Sequence, residues 1–230
     1  MSVRAILLDI EGTTTPIAFV HDVLFSYARE HVREFLAGND VAEDVALLRE
    51  ERAVDVREGR NPPESIAEYV EWLISIDRKS TGLKSLQGKI WRQGYLEGSL
   101  KSQVYEDVAP AFERWRERGL RISIFSSGSV LAQRLLFAHT EVGDLTPFID
   151  SYFDTNVGKK GEAGSYRKIA EAMDLPAEEI LFVSDVVAEL EAANEAGMKT
   201  ILSIRPGNSP QPQAEQYSSI HSFDEIRNTD

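Results

Sequence analysis

Two hydrophobic rhythms divide the chain. Residues 3–9 are almost continuously apolar through Ala5, Ile6, Leu7 and Leu8, the pattern of a strand buried on both faces. From about Ile17 the spacing becomes helical. Residues 19–36 are amphipathic, and 41–58 form a second, strongly charged helix candidate. Asn61-Pro62-Pro63 breaks the pattern, and Pro63 suits a helix start. Ile66, Tyr69, Val70, Leu73 and Ile74 then follow the spacing of a core-facing stripe. Leu83, Leu86 and Ile90 carry a fourth helix toward Tyr95. Four helices with no strand between them predict an all-α insertion over 16–105.

Beyond Val108-Ala109-Pro110 helices and strands alternate. Helices are expected at 111–118 (stopped by Gly119), 130–138, 166–173 and 187–196 (closed by Gly197). Strands are expected at 120–125, 151–153, 180–183 and 200–204, with a polar loop over 208–218. Repeated strand–helix units imply a parallel sheet wrapped by helices on both faces. The expected fold is therefore α/β, a Rossmann-like doubly wound core built from 1–15 and 106–230, interrupted by the helical insertion.

Composition narrows the function. The 230 residues carry a net charge of -13, which disfavours a nucleic-acid or anionic-membrane surface. An anionic small substrate would need a local cation. Cysteine is absent, so disulfides, thiolate catalysis and cysteine-based zinc sites are excluded. The histidines, His21, His31, His139 and His221, are scattered and form no metal motif. The chain opens directly on a strand pattern without a signal-like segment, and a cytoplasmic protein is expected.

The candidate chemistry sits at strand ends. Asp9-Ile10-Glu11-Gly12-Thr13-Thr14 follows the first strand directly. Alternate side chains of an extended backbone share a face, so Asp9 and Glu11 can reach one site. A strand-end carboxylate is a candidate nucleophile toward phosphorus and a candidate Mg²⁺ ligand, and its neighbour a candidate general acid and base. Gly12 lets the chain turn, and Thr13 and Thr14 offer hydroxyls and amides. A later strand ends in Ser126-Ser127-Gly128-Ser129, either a helix N-cap or an anion cradle. Gly158-Lys159-Lys160 stands at a helix entrance, and Asp185, with Glu189 a turn further on, follows the strand at 180–183. Each alone reads as surface charge or a cap. Acid, hydroxyl, lysine and acid at successive strand ends of one sheet point to a single site beyond the strands' carboxyl ends.

These residues resemble the four motifs of the haloacid dehalogenase superfamily of phosphohydrolases: Asp9 and Glu11 the first, Ser126 the second, a lysine near 160 the third and Asp185 the fourth. The helical insertion resembles that superfamily's cap domain. Asp is usual at the second acidic position, so Glu11 departs from the general pattern. Asp9-Ile10-Glu11-Gly12-Thr13-Thr14, Leu86-Gln87-Gly88-Lys89-Ile90-Trp91, Ser126-Ser127-Gly128-Ser129 with Gln133, and Ser165-Tyr166-Arg167-Lys168-Ile169 are similar to the enolase-phosphatase (acireductone synthase) family, where Glu at that position is typical. The spacing after Gly158 in that family points to Lys160 rather than Lys159.

The resemblance implies a small phosphorylated diketone substrate, 2,3-diketo-5-methylthiopentyl 1-phosphate, enolised and then dephosphorylated to acireductone in methionine salvage. It implies an aspartyl-phosphate on Asp9, one Mg²⁺ per subunit held by Asp9, Glu11 and Asp185, phosphate contacts from Ser126, Ser127 and Lys160, and acid–base work by Glu11. The enolisation base is Glu11 or a residue of the insertion, where Asp77-Arg78-Lys79, Lys84 and Trp91 are candidates for substrate contact. No nucleic acid or membrane partner is expected, and the expected state is a monomer. A phosphatase lacking the enolase step, or a phosphate-binding protein without turnover, would keep the same core residues.

Overall fold

The computed structural model describes residues 2–76, 78 and 80–226. The chain divides into two compact units, Met1–Val20 with Lys101–Asp230, and His21–Leu100. Segments 16–20 and 101–105 thus fall with the first unit. Its strands are β1 (Ala5–Leu8), β2 (Arg121–Phe125), β3 (Ser151–Phe153), β4 (Ile180–Ser184), β5 (Lys199–Ser203) and β6 (Ser219–Ile220). The helices in chain order are α1 (Ser26–Gly38), α2 (Ala42–Arg57), α3 (Ile66–Ser75), α4 (Thr81–Glu97), α5 (Val108–Glu117), α6 (Val130–Ala138), α7 (Ala163–Met173) and α8 (Val187–Glu195).

The sheet is parallel throughout, in the order β3-β2-β1-β4-β5-β6. β1 is central, with Leu8 in register with Ile124 of β2 and Val183 of β4. The chain leaves β1 toward β2 and later returns to its other side as β4. The strand order therefore reverses at β1, and in open α/β sheets ligands bind beyond the carboxyl ends of the strands at such a switch point. Every β1 side chain is fully buried, which explains the unbroken apolar run. Ala5 and Leu7 pack into one core with Phe182 of β4, Tyr166, Ile169 and Met173 of α7, and Leu190 and Ala193 of α8. Alternation puts Asp9 on that same side.

Four expectations are corrected. Residues 19–25 form a π-helical turn ahead of α1, where one continuous α-helix was expected. The Leu24 carbonyl there accepts from Trp91 Nε1 at 2.8 Å, a partner outside the helical ladder. Helix α3 starts at Ile66, not at Pro63, because Ser65 supplies the cap, its hydroxyl accepting from the Glu68 amide. Helix α5 starts at Val108 and takes Pro110 into its first turn, where a missing N–H costs no hydrogen bond. The expected polar loop 208–218 contains a 3₁₀ turn, Ala214–Gln216, and leads into the edge strand β6.

The second unit holds α1 to α4. Helix α2 inverts the usual pattern: Asp44, Leu48 and Asp55 are its buried residues. Asp55 is 0 % exposed and accepts from Arg60 at 2.7 Å, Arg78 at 2.6 Å and the Tyr69 hydroxyl at 2.8 Å. Glu51 accepts from the backbone N–H groups of Thr81 and Gly82 at the start of α4, and Asp44 pairs with Ser85 and Lys89.

Candidate active site

The loop after β1 is wound tightly around one carbonyl. The amides of Thr13, Thr14 and Thr15 all donate to Ile10 O, at 3.2, 2.9 and 2.9 Å. Thr14 Oγ1 donates to the carbonyls of Asp9 and Ile10. The amides and the Thr14 hydroxyl that looked available for a ligand are thus consumed in shaping the turn. Gly12 turns the chain at φ +68°, a conformation that favours glycine. The result presents Asp9 at the strand end, 5 % exposed, with Oδ1 accepting from the Ile10 amide at 2.7 Å. Glu11 is half-buried and bridges to Thr15.

Lys160 reaches this carboxylate from the entrance to α7. Its Nζ lies 2.6 Å from Asp9 Oδ1 and 2.6 Å from Glu189 Oε2. The backbone is fixed underneath, because Tyr166 OH donates to Lys160 O and Ser165 Oγ to Lys159 O, both at 2.7 Å. Lys159 points away and pairs with Glu162 at the surface. Burial opposes the charge on Lys160, but Asp9 and Glu189 outweigh it and raise its pKa. At neutral pH it is a permanent cation.

Helix α6 is capped by Ser129, whose hydroxyl accepts from the Ala132 amide. Ser126 does something else. It is buried at the end of β2, and its Oγ accepts from the Gly128 amide at 3.2 Å, leaving its own proton to donate. Lys160 Nζ stands 5.9 Å from the centre of the Phe125 ring, next in the chain to Ser126. Ser127 follows, half-buried. Gln133, 1 % exposed, braces this turn by donating to Gly128 O and Phe153 O.

Asp185 is 7 % exposed at the end of β4. Burial and the charge of Asp9 push its pKa up to about 7. Glu189 is raised for the same two reasons, although Lys160 and the Ser184 hydroxyl, 2.8 Å away, both favour its charged form. Sequence reasoning left Glu189 out of the site. Its position one turn into α8 was the available signal, and the lysine contact is what distinguishes it from a first-turn acid stabilised by the helix dipole.

Asp9, Asp185 and Glu189 thus crowd around one buried lysine, an excess of negative charge. Among the described residues no group of three or more His, Cys, Asp or Glu side chains is placed to hold a metal ion. An open, all-oxygen set with two carboxylates suits Mg²⁺, which keeps several waters. In the second unit the candidate contacts have other occupations. Trp91 is buried, stacks on Phe25 at 6.3 Å and bonds Leu24 O, and Arg78 is held by Asp55. Asp77 and Lys79 lie outside the described residues.

A parallel sheet that reverses at β1, with acid, hydroxyl, lysine and acid at its strand ends, defines the class of haloacid dehalogenase-like hydrolases, and that family's profile matches residues 3–197. An enolase-phosphatase E1 of Synechococcus elongatus is 52% identical, covering 98% of each chain. A probable bifunctional methylthioribulose-1-phosphate dehydratase/enolase-phosphatase E1 of Arabidopsis thaliana is 46% identical over 97% of this chain and 48% of its own. The crystal structure of the UTR4 protein of Saccharomyces cerevisiae superposes with a TM-score of 0.80 at 35% identity, covering 96% of this chain and 99% of that one. The chain belongs to the enolase-phosphatase E1 family of haloacid dehalogenase-like hydrolases.

Proposed function

We propose that this chain is a Mg²⁺-dependent enolase-phosphatase that converts 2,3-diketo-5-methylthiopentyl 1-phosphate to acireductone and phosphate in methionine salvage, working as a cytoplasmic monomer. The observation that carries the phosphatase half is the 2.6 Å contact of Lys160 with Asp9 at the end of the central strand. Family membership carries the substrate. The Arabidopsis relative's name joins this activity to a dehydratase of methylthioribulose 1-phosphate. Loss of water from that ketose phosphate gives a 2,3-diketone 1-phosphate, the compound this site would receive.

Both contacts to Asp9 fall on Oδ1, so we assign the attack on phosphorus to Oδ2. The new O–P bond forms as the bond from phosphorus to the C1 oxygen breaks. Lys160, the Ser126 hydroxyl and the Ser127 amide hold the equatorial oxygens. Asp9, a Glu11 oxygen and Asp185 would hold one Mg²⁺, which when bound offsets the phosphate's charge. Glu11 protonates the departing oxygen, then takes a proton from the water that hydrolyses the aspartyl-phosphate.

The enolase half places a proton on the same group. The hydrogen that must leave to form the enol of acireductone is on C1, between the C2 carbonyl and the phosphate oxygen. A base that removes it stands beside the oxygen that later leaves. If Glu11 takes the C1 proton, the electron pair passes through the new C1–C2 double bond to the C2 oxygen, which takes its proton from solvent, and Glu11 is left in the acid form that phosphoryl transfer needs. The alternative base is a residue of the helical insertion. Glu11→Asp separates them. Withdrawing the carboxyl group by about 1 Å should slow enolisation ~100-fold, while hydrolysis of a simple phosphate ester changes far less. The enol chromophore and phosphate release report the two steps, and equal slowing of both substrates would move the base to the insertion. Phosphate release from the diketone without any enol species would reduce the protein to a plain phosphatase.

A further inference from the structure

Asn208 lies in the loop after β5, past residue 197, where the match to the hydrolase family ends. It belongs to none of the four strand-end motifs, yet its side chain reaches back to the first of them. Nδ2 donates to Gly12 O at 3.0 Å and to Ser203 O at 3.2 Å. Both partners are carbonyls, which only accept, so the amide cannot be reversed. Its Oδ1 is therefore committed to the opposite direction, where it is buried and meets no donor among the described residues.

That direction is toward Asp185. A methyl group added to Gly12 would lie 2.8 Å from Asn208 Oδ1 and 2.5 Å from Asp185 Oδ2. Two acceptor oxygens thus flank one small space, kept open because residue 12 lacks a side chain. Two such oxygens repel unless a donor stands between them, and a buried acceptor left without one is costly. A water carried by a divalent cation satisfies both, since it offers two strongly polarised protons. Lys160 cannot serve, because its contacts are with Asp9 and Glu189.

We propose that Asn208 is a positioning residue of the cation site: Oδ1 accepts a hydrogen bond from a water of the bound Mg²⁺, while Nδ2 clamps the Gly12 carbonyl so that the loop keeps its distance from Asp185. The proposal rests on the cation reading given above. Ser203 supplies an internal control, because its hydroxyl donates to the same Gly12 carbonyl at 3.3 Å without offering an oxygen to the cation side.

The test is direct binding of Mn²⁺, the paramagnetic stand-in for Mg²⁺, to substrate-free protein by electron paramagnetic resonance, with the thermal midpoint in chelator measured alongside. Asn208→Leu and the smaller Asn208→Ala should weaken Mn²⁺ binding by about 10- to 100-fold, the usual cost of losing an outer-shell partner, and Ser203→Ala by less than about threefold. Either Asn208 variant carries the test if the other fails to fold. Wild-type affinity in the Asn208 variants, or equal weakening by Ser203→Ala, would reduce Asn208 to a loop brace and overturn the proposal. Absence of saturable binding by the wild-type protein would instead overturn the cation reading itself, and the proposal with it.

Discussion

Asp55 of the helical insertion and Asp185 of the sheet unit are both buried carboxylates, at 0 % and 7 % exposure, and their surroundings differ in kind. Asp55 is met by two guanidinium groups and a tyrosine hydroxyl. Asp185 lies near a single lysine, whose ion pairs are with Asp9 and Glu189. A buried acid that serves the fold is fully compensated, since an uncompensated buried charge is costly. A set of acids left in excess at the end of a central strand is stable only with something more, and it is there that a cation and an anionic substrate belong. Degree of compensation separates the two roles better than burial does.

The sharpest way to break this contrast is Asp9→Asn. Removing the nucleophile should lower phosphate release by roughly 10⁴-fold or more, with the circular dichroism spectrum unchanged. A folded variant with near-normal turnover would return Asp9 to a charged strand cap.

Next in size is the same kind of change made once in each unit. Asp55→Asn strips a compensated site and should destabilise the protein by about 2–3 kcal/mol, below the value for a fully buried pair because Arg60 and Arg78 are partly exposed and can turn to water. Asp185→Asn should do the reverse in chelator at pH 8, raising stability by about 1–3 kcal/mol while abolishing Mg²⁺ binding. The sign follows from linkage. A carboxyl group raised to about 7 in the folded state holds its proton more tightly there than in the unfolded chain, near 3.9. Stability of the metal-free wild type is then lost as pH rises from about 4 to about 7, and Asp185→Asn removes that loss.

The smallest effect comes from Asp44, which has the opposite sign. Burial favours its neutral form, but hydrogen bonds from Lys89 and Ser85 prevail and lower its pKa. Its contribution is present above the unfolded carboxyl value and fades as pH falls through the folded one. Thermal melts against pH of Lys89→Met should therefore lose stability at neutral pH and converge on wild type in acid. A pH-independent deficit would show that packing, not charge, is what Lys89 supplies.

How much of this could be read beforehand follows the same division. The sheet unit was legible because its apolar runs are short and unbroken and because polar residues cluster where strands stop. Lys160 was separable from Lys159 only by family spacing. The structure gives the cause in Ser165 and Tyr166, which fix the turn so that one lysine enters the site and its neighbour leaves. Glu189 was visible but unassigned, since an acid in a first helical turn has an ordinary explanation. Asn208 carried no signal, because its part depends on a carbonyl distant in sequence, and Gln133 stood out only through family resemblance, its bracing of the turn after β2 being invisible. Helix α2 was legible as a helix but not as to its inward face, because its buried face carries Asp44 and Asp55 and defeats any apolar stripe. The edge strand β6 is too short to declare itself.

A crystal structure of the protein soaked with Mg²⁺ and a phosphate-mimicking metal fluoride would show nucleophile and cation together. The fluoride centre should stand in line with Asp9 Oδ2, with Lys160 and Ser126 on its equatorial fluorides and a single Mg²⁺ on Asp9, a Glu11 oxygen and Asp185. A fluoride centred on Ser126 or elsewhere, or a complex that forms without a cation beside Asp185, would contradict that arrangement.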